Sequence, residues 1–205
     1  MMARRFAAPK LVVATHNRGK AEEIRTMLAG FGVEIVSMAD LGLPAPPETG
    51  TTFERNATIK ALAAARASNL PALADDSGLS VHALGGEPGV YTADWEGPQR
   101  SAMVGMQRIQ DEFSKRGVPD RDANRGATFH CVLALAWPDE HIEMVRGRLD
   151  GRIVWPPRGT GGHGYDPCFQ PKGDTRTTAE MTDAEKNAIS HRGRAFRALV
   201  EACFK

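Results

Sequence analysis

Two aspartates stand side by side at positions 75 and 76, inside the stretch ALADDSGL, between an apolar run and a glycine. Adjacent carboxylates either serve ordinary turn chemistry or aim a charge at something positive. Side chains alternate across extended chain, so Asp75 and Asp76 are expected to point in opposite directions. They therefore do not form a two-carboxylate dyad. One is expected to face a site, and the other to cap the turn before Gly78. A carboxylate at a strand end near lysines is a candidate for holding Mg²⁺ or for activating water. An Asx-turn role is the plain alternative.

Four other polar groupings carry possible chemistry. In ATHNRGK (14–20) an apolar run enters a loop that opens a helix. A helix N-terminus presents unpaired N–H groups and a positive dipole end, which suit phosphate, and Arg18 and Lys20 would add charge. This is not a P-loop, because Ala14 and Ala21 occupy positions where that motif needs Gly and Ser or Thr. Glu48 lies in PPETG, and Asn56 and Lys60 share a helix face four residues apart, with alanines around them. In GTGGHGYDP (159–167) four glycines fall within six positions. Such backbone approaches a ligand closely, His163 and Tyr165 offer flat rings, and Asp166 an acceptor. In AEKNAISHRG (184–193), Lys186, His191 and Arg192 supply donors within two helical turns. Each grouping alone is equally a capped helix, a solvated polar face or a flexible loop. Together they are the parts needed to hold a nucleoside polyphosphate with a divalent metal.

The elements that must position these groups follow from periodicity. KLVVAT (10–15) reads as a buried strand, with Asn17 as the cap of a helix carrying Ile24, Met27, Leu28 and Phe31. VEIVSM (33–38) reads as a second strand, and residues 39–50 as loop from their prolines and glycines. Thr51 and Glu54 are spaced as a capping box before an alanine-rich helix. PALAD (71–75) is the next strand, followed by a short strand and a glycine-rich loop. Residues 100–116 read as helix, 127–137 as the longest strand, and 142–155 as its partner with a turn at Asp150-Gly151. Thr182 and Glu185 make another capping box, and Ser190 re-caps a terminal amphipathic helix. Strands alternate with helices early and cluster as hairpins late. The expected fold is α/β: a long mixed twisted sheet flanked by helices, in one domain over residues 10–205 after a flexible tail over 1–9.

Composition narrows the function classes. Of 205 residues, 26 are Lys or Arg and 25 Asp or Glu. That balance disfavours a protein that coats nucleic acid. The three cysteines are odd in number and widely spaced, which suggests neither a disulfide framework nor a zinc site, and Cys131 and Cys203 lie in apolar stretches as buried thiols, which fits a reducing cytoplasm. The apolar run after Arg4-Arg5 is too short for a secretion signal, and no stretch approaches a membrane span.

With these residues assembled, the chain resembles the inosine/xanthosine triphosphate pyrophosphatases. The resemblance rests on ATHNRGK, ETGTTFERNATIKA, ALADDSGL, LGGEPGVY, GTGGHGYDP and EKNAISHRG, in that order, from Leu11 to about Leu199. It implies hydrolysis of ITP, dITP or XTP between the α and β phosphates, giving the monophosphate and pyrophosphate. It implies Mg²⁺, a homodimer, and two lobes with the active site in the cleft between them. By the same resemblance Thr15, Asn17 and Lys20 hold the phosphates, within the loop that includes His16, Arg18 and Gly19. Glu48 and Asp76 hold the metal, and Asp76 activates water. Ser77 touches substrate, and Asn56 and Lys60 count with it among the substrate-binding residues. His163, Gly164, Tyr165, Asp166, Lys186, His191 and Arg192 enclose the nucleoside. Two departures bear on preference: His163 where phenylalanine is usual, and YTAD (91–94) where YSAR is common. The rival readings are a pyrophosphatase for other modified nucleotides and a nucleotide sensor without turnover.

Overall fold

The computed structural model describes residues 3–205, and of Arg18 only the backbone. The strands are β1 (Lys10–Val13), β2 (Glu34–Ser37), β3 (Ala72–Val81), β4 (Pro88–Gly89), β5 (Gly126–Ala136), β6 (Ile142–Ile153) and β7 (Phe169–Pro171). The helices are α1 (Arg18–Leu28), α2 (Phe53–Ser68), α3 (Ala102–Lys115), α4 (Asp183–Ile189) and α5 (His191–Leu199). The strands form one mixed sheet in the order β2-β1-β3-β5-β6-β7, with β4 paired to β3. β1 runs parallel to both β2 and β3, while the β3–β4 and β6–β7 pairs are antiparallel. The expected class is the observed one. No helix among the described residues is long and apolar enough to cross a membrane.

The chain forms two compact units. The first comprises residues 1–76, 132–146 and 195–205; the second comprises 77–131 and 147–194. In the first unit, Ala57, Ala61, Ala64 and Ala65 form one fully buried face of α2, in a cluster with Val12, Ala72 and Ala74. Alanine leaves no bulk on that face, so helix and strand backbones approach closely, and the polar face of α2 is fixed with them. In the second unit, Leu79, Trp95, Ile109, Phe129, Tyr165 and Phe169 belong to a common core cluster. Cys131, Cys168 and Cys203 are free thiols, all buried, as expected for Cys131 and Cys203.

The structure departs from the sequence expectations at four places. β3 does not stop at Asp75. It continues through Asp76, Ser77 and Gly78 to Val81, because Leu79 and Ser80 pair with Gly89 and Pro88. Neither aspartate therefore caps a turn. The cap of α2 is Thr52, whose side chain accepts the Arg55 N–H, and not Thr51; Glu54 accepts a hydrogen bond from Arg146 instead. β6 runs unbroken through Asp150-Gly151. Glycine is required there for close approach, since a Cβ on Gly151 would run into the Gln170 carbonyl and the Phe169 ring. Finally, the segment expected to be a loose tail makes specific contacts. Arg4 pairs with Asp139 and lies over the Trp137 ring, and the Phe6 ring stacks on Phe204 at 4.9 Å.

Local signals hold elsewhere. Asn17 caps α1 by accepting the Lys20 N–H, Thr182 and Glu185 form the reciprocal capping box, and Ser190 accepts the Gly193 N–H at the start of α5.

Candidate active site

The first unit gathers a cluster of lysines and carboxylates around β3. The strand's alternation sends its two aspartates to different lysines. Asp75 accepts from Lys20 Nζ at 2.9 and 3.1 Å, so the lysine expected to meet phosphate is seated at the first turn of α1. Asp76 accepts from Lys60 Nζ at 2.7 Å. The same ammonium lies 3.3 Å from Glu48 Oε1. Glu48 comes from an irregular loop, Lys60 from α2 and Asp76 from β3. Three elements thus converge on one point.

Burial decides the electrostatics of that point. The Asp76 carboxyl is pushed up to about 6, chiefly by burial, against the attraction of Lys60 and with added repulsion from Glu48 and Asp75. Burial is the largest single influence and works against the Lys60 charge, but Asp76, Asp75 and Glu48 together outweigh it, and the lysine's net direction is upward. The ammonium faces several carboxylates whereas Asp76 has like-charged neighbours, so the pair favours the lysine more than the acid.

The remaining first-unit candidates act on the backbone. Asn56 is buried, and its side-chain oxygen accepts the Gly50 N–H at 2.8 Å. It fastens the loop bearing Glu48 to α2 and is not part of a solvent-facing stripe. His16 bonds through Nε2 to the Leu43 carbonyl at 2.8 Å, which requires the proton on Nε2. Thr15 Oγ1 accepts the Asn17 N–H at 3.1 Å. A Cβ on Gly19 would lie 3.2 Å from the capping oxygen of Asn17, so glycine keeps that cap unstrained. The side chain of Arg18 lies outside the described residues.

The second unit holds the other group. Asp166 is buried and accepts from three donors: the His163 N–H at 2.6 Å, Thr178 Oγ1 at 2.8 Å and Lys186 Nζ at 2.5 Å. The glycine loop thus closes on its own aspartate, and Lys186 from α4 is locked to it. Gly162, with φ +70°, has no room for a side chain because a Cβ would strike the Asp166 carboxylate. Tyr165 is buried in the core and donates its hydroxyl to the Thr92 carbonyl at 2.9 Å, while His163 is exposed. The loop's two rings are therefore not equivalent: one is a strut and the other faces outward. His191 stacks on Phe129 with centroids 4.9 Å apart and planes 18° apart. Burial and the adjacent Arg192 charge hold the imidazole down at about 3, so it is neutral at ordinary pH. Its Nδ1 is buried without a hydrogen-bond partner among the described residues. Arg192 is in the first turn of α5, and Ser77 follows Asp76 on β3; both are half-buried.

Asp75 and Thr178 hold site side chains but were not singled out from sequence for those roles. For Asp75 strand alternation gives only a direction away from Asp76, since its lysine lies 55 residues away in the sequence. Thr178 carried no local signal.

The fold and this chemistry define an open-sheet α/β protein equipped for anionic, phosphate-bearing ligands. The Ham1 family model matches residues 11–202, and the chain belongs to that family. It is 52% identical over 211 aligned residues to the dITP/XTP pyrophosphatase of Rhizobium meliloti, covering 98% of both chains. It is also 52% identical to the dITP/XTP pyrophosphatase of Gluconobacter oxydans, covering 99% of this chain and 95% of the other. The solved structure of a HAM1 protein from Coxiella burnetii superposes with a TM-score of 0.88 at 37% identity, covering 95% of this chain and 98% of that one.

Proposed function

We infer that this protein is a nucleoside triphosphate pyrophosphohydrolase that acts on non-standard purine nucleotides, ITP, dITP and XTP, and releases the monophosphate and pyrophosphate. Family membership and the similarity to dITP/XTP pyrophosphatases support the reaction class. The observation that carries the mechanism is the convergence of Glu48 and Asp76 on a single cation, the Lys60 ammonium.

That ammonium is a stand-in for positive charge at a carboxylate pair. Among the described residues, no group of three or more His, Cys, Asp or Glu side chains gathers as a metal cage. Mg²⁺ does not need one, since it favours one or two carboxylates plus water and substrate phosphates. Glu48 and Asp76 therefore fit Mg²⁺. When bound, the ion would neutralise phosphate oxygens and lower the cost of attack by water.

The chain's own groups have the following parts. The N-terminus of α1, with Thr15, His16, Asn17, Gly19 and Lys20, receives the phosphates, and Arg18 adds charge beside them. Asp75 holds Lys20 in place for this. Asp76 takes the proton of the attacking water; burial raises its basicity while leaving it ionised at neutral pH. Lys60 offsets charge on the carboxylates and phosphates, and Asn56 holds the Glu48 loop. Phosphoryl transfer needs chiefly this positioning and neutralisation. Ser77, His163, the backbone at Gly164, Lys186, His191 and Arg192 take the nucleoside, while Tyr165 and Asp166 hold the loop in place for it. A 6-oxo purine presents an acceptor where adenine presents a donor, so the cations and backbone N–H groups favour hypoxanthine and xanthine. In this reading the enzyme works as a cytoplasmic homodimer.

The test is product analysis. With ITP and Mg²⁺, phosphorus NMR should show IMP and pyrophosphate in equal amounts, and chelation should stop turnover. Orthophosphate release would place attack at the γ phosphorus, and binding without turnover would make the protein a sensor.

A further inference from the structure

The second unit contains a carboxylate that the reading above leaves unused. Glu96 ends a single helical turn, Asp94–Glu96, and is half-buried. Its Oε1 lies 3.5 Å from where a Cβ would stand on Gly164, in the middle of the glycine loop. The placement is rigid. Trp95 is buried in the same core cluster as Tyr165, Arg108 lies over the Trp95 ring at 4.4 Å, and Tyr165 donates to the Thr92 carbonyl. The segment 92–96 is thus bolted to the loop that contains Gly164. Among the described residues the Glu96 carboxylate has no hydrogen bond and no ion-pair contact. Burial raises its carboxyl, and Arg100 opposes this only at a distance. A half-buried carboxylate without donors is costly unless a ligand brings one.

We propose that Glu96 is a specificity-determining residue that accepts a hydrogen bond from the nucleoside bound at the glycine loop, namely from N1–H of a 6-oxo purine. This rests on the nucleoside assignment of that loop. An ionised carboxylate only accepts. Hypoxanthine and xanthine carry a hydrogen on N1, and adenine carries a lone pair there. Glu96 thereby rewards the 6-oxo bases and repels adenine, complementing the cations that read the 6-oxo group itself. The ribose hydroxyls are the other donors a nucleoside offers, and a deoxy substrate separates the two sources.

The experiment compares kcat/KM for ITP, dITP and ATP in the parent, Glu96→Gln and Glu96→Ala, with pyrophosphate release as readout and thermal melts as the fold control. Loss of a charged hydrogen bond predicts that Glu96→Ala lowers kcat/KM for ITP and dITP alike by roughly 10- to 100-fold, mainly through KM, with ATP unchanged or improved. Glu96→Gln, nearly isosteric, should fall between and carries the test if the alanine variant does not fold. Undiminished ITP turnover in both variants overturns the proposal. So does an equal loss on ITP and ATP, which marks a structural role, or a loss on ITP with dITP spared, which marks a ribose hydroxyl. Should the parent fail to release pyrophosphate from ITP, the enzymatic reading falls and this inference with it.

Discussion

Asp76 and Lys60, from β3 and α2, meet at 2.7 Å, and the same ammonium reaches Glu48 at 3.3 Å. The pair is a poor device for stability, because burial raises Asp76 to about 6 in spite of its cation. A partner that disfavours its own ionised form is what a metal- or water-directed carboxylate requires. Asp76→Asn should therefore cut turnover by about 10²- to 10⁴-fold, the usual weight of a general base, while the fold survives. Pyrophosphate release at saturating ITP and Mg²⁺, with circular dichroism alongside, checks both halves. Parental turnover would remove Asp76 from the mechanism.

The same carboxylate should make the metal-free protein sensitive to alkali in a defined window. Its folded value lies above the unfolded value of 3.8. The contribution is thus fully present below that value and is lost as pH rises through about 6. By linkage the loss is up to about 3 kcal/mol, complete near neutrality. Lys60 titrates far above this window. Denaturant melts of the metal-free parent and Asp76→Asn between acid and neutral pH should diverge in favour of the variant as pH rises. Parallel curves would mean that Asp76 ionises without penalty.

Much of the frame was legible in the sequence because it is written locally. The caps Asn17, Thr182 and Ser190 each act within three residues of themselves. The alternation of Asp75 and Asp76 follows from extended backbone alone. Their lysines were not legible as partners, because Lys20 and Lys60 come from other elements, 55 and 16 residues away. Gly78 read as a turn, but the pairing of Leu79 with Gly89 overrides the glycine and carries the strand onward. Gly151 misled in the same way, since its reason is the Phe169 ring across the sheet. Tyr165 read as a stacking ring, and only its buried bond to Thr92 separates it from His163.

Asn56 is expected to control metal affinity without touching metal. It is buried, and its oxygen satisfies the Gly50 N–H two residues from Glu48. Asn56→Ala strands that N–H, at a cost of about 1–3 kcal/mol, and loosens the Glu48 loop. The Mg²⁺ concentration giving half-maximal turnover should rise several-fold, with turnover at saturating Mg²⁺ falling much less. A drop in turnover that excess Mg²⁺ cannot restore would place Asn56 at the substrate instead.

Asp166 in the second unit is saturated with hydrogen bonds. Three donors occupy its oxygens, so it has the contacts of an anchor for the glycine loop and for Lys186. Removing one side of a buried pair leaves the other charge without compensation, at about 3–5 kcal/mol. Asp166→Asn should therefore destabilise the protein by roughly that amount and raise KM for ITP more than it lowers kcat. Adding Lys186→Met to Asp166→Asn should recover part of the stability, since the stranded ammonium is then gone, but none of the affinity. Recovery of affinity together with stability would show that Lys186 serves only the loop, and the nucleoside would then be read by His191, Arg192 and the backbone without it.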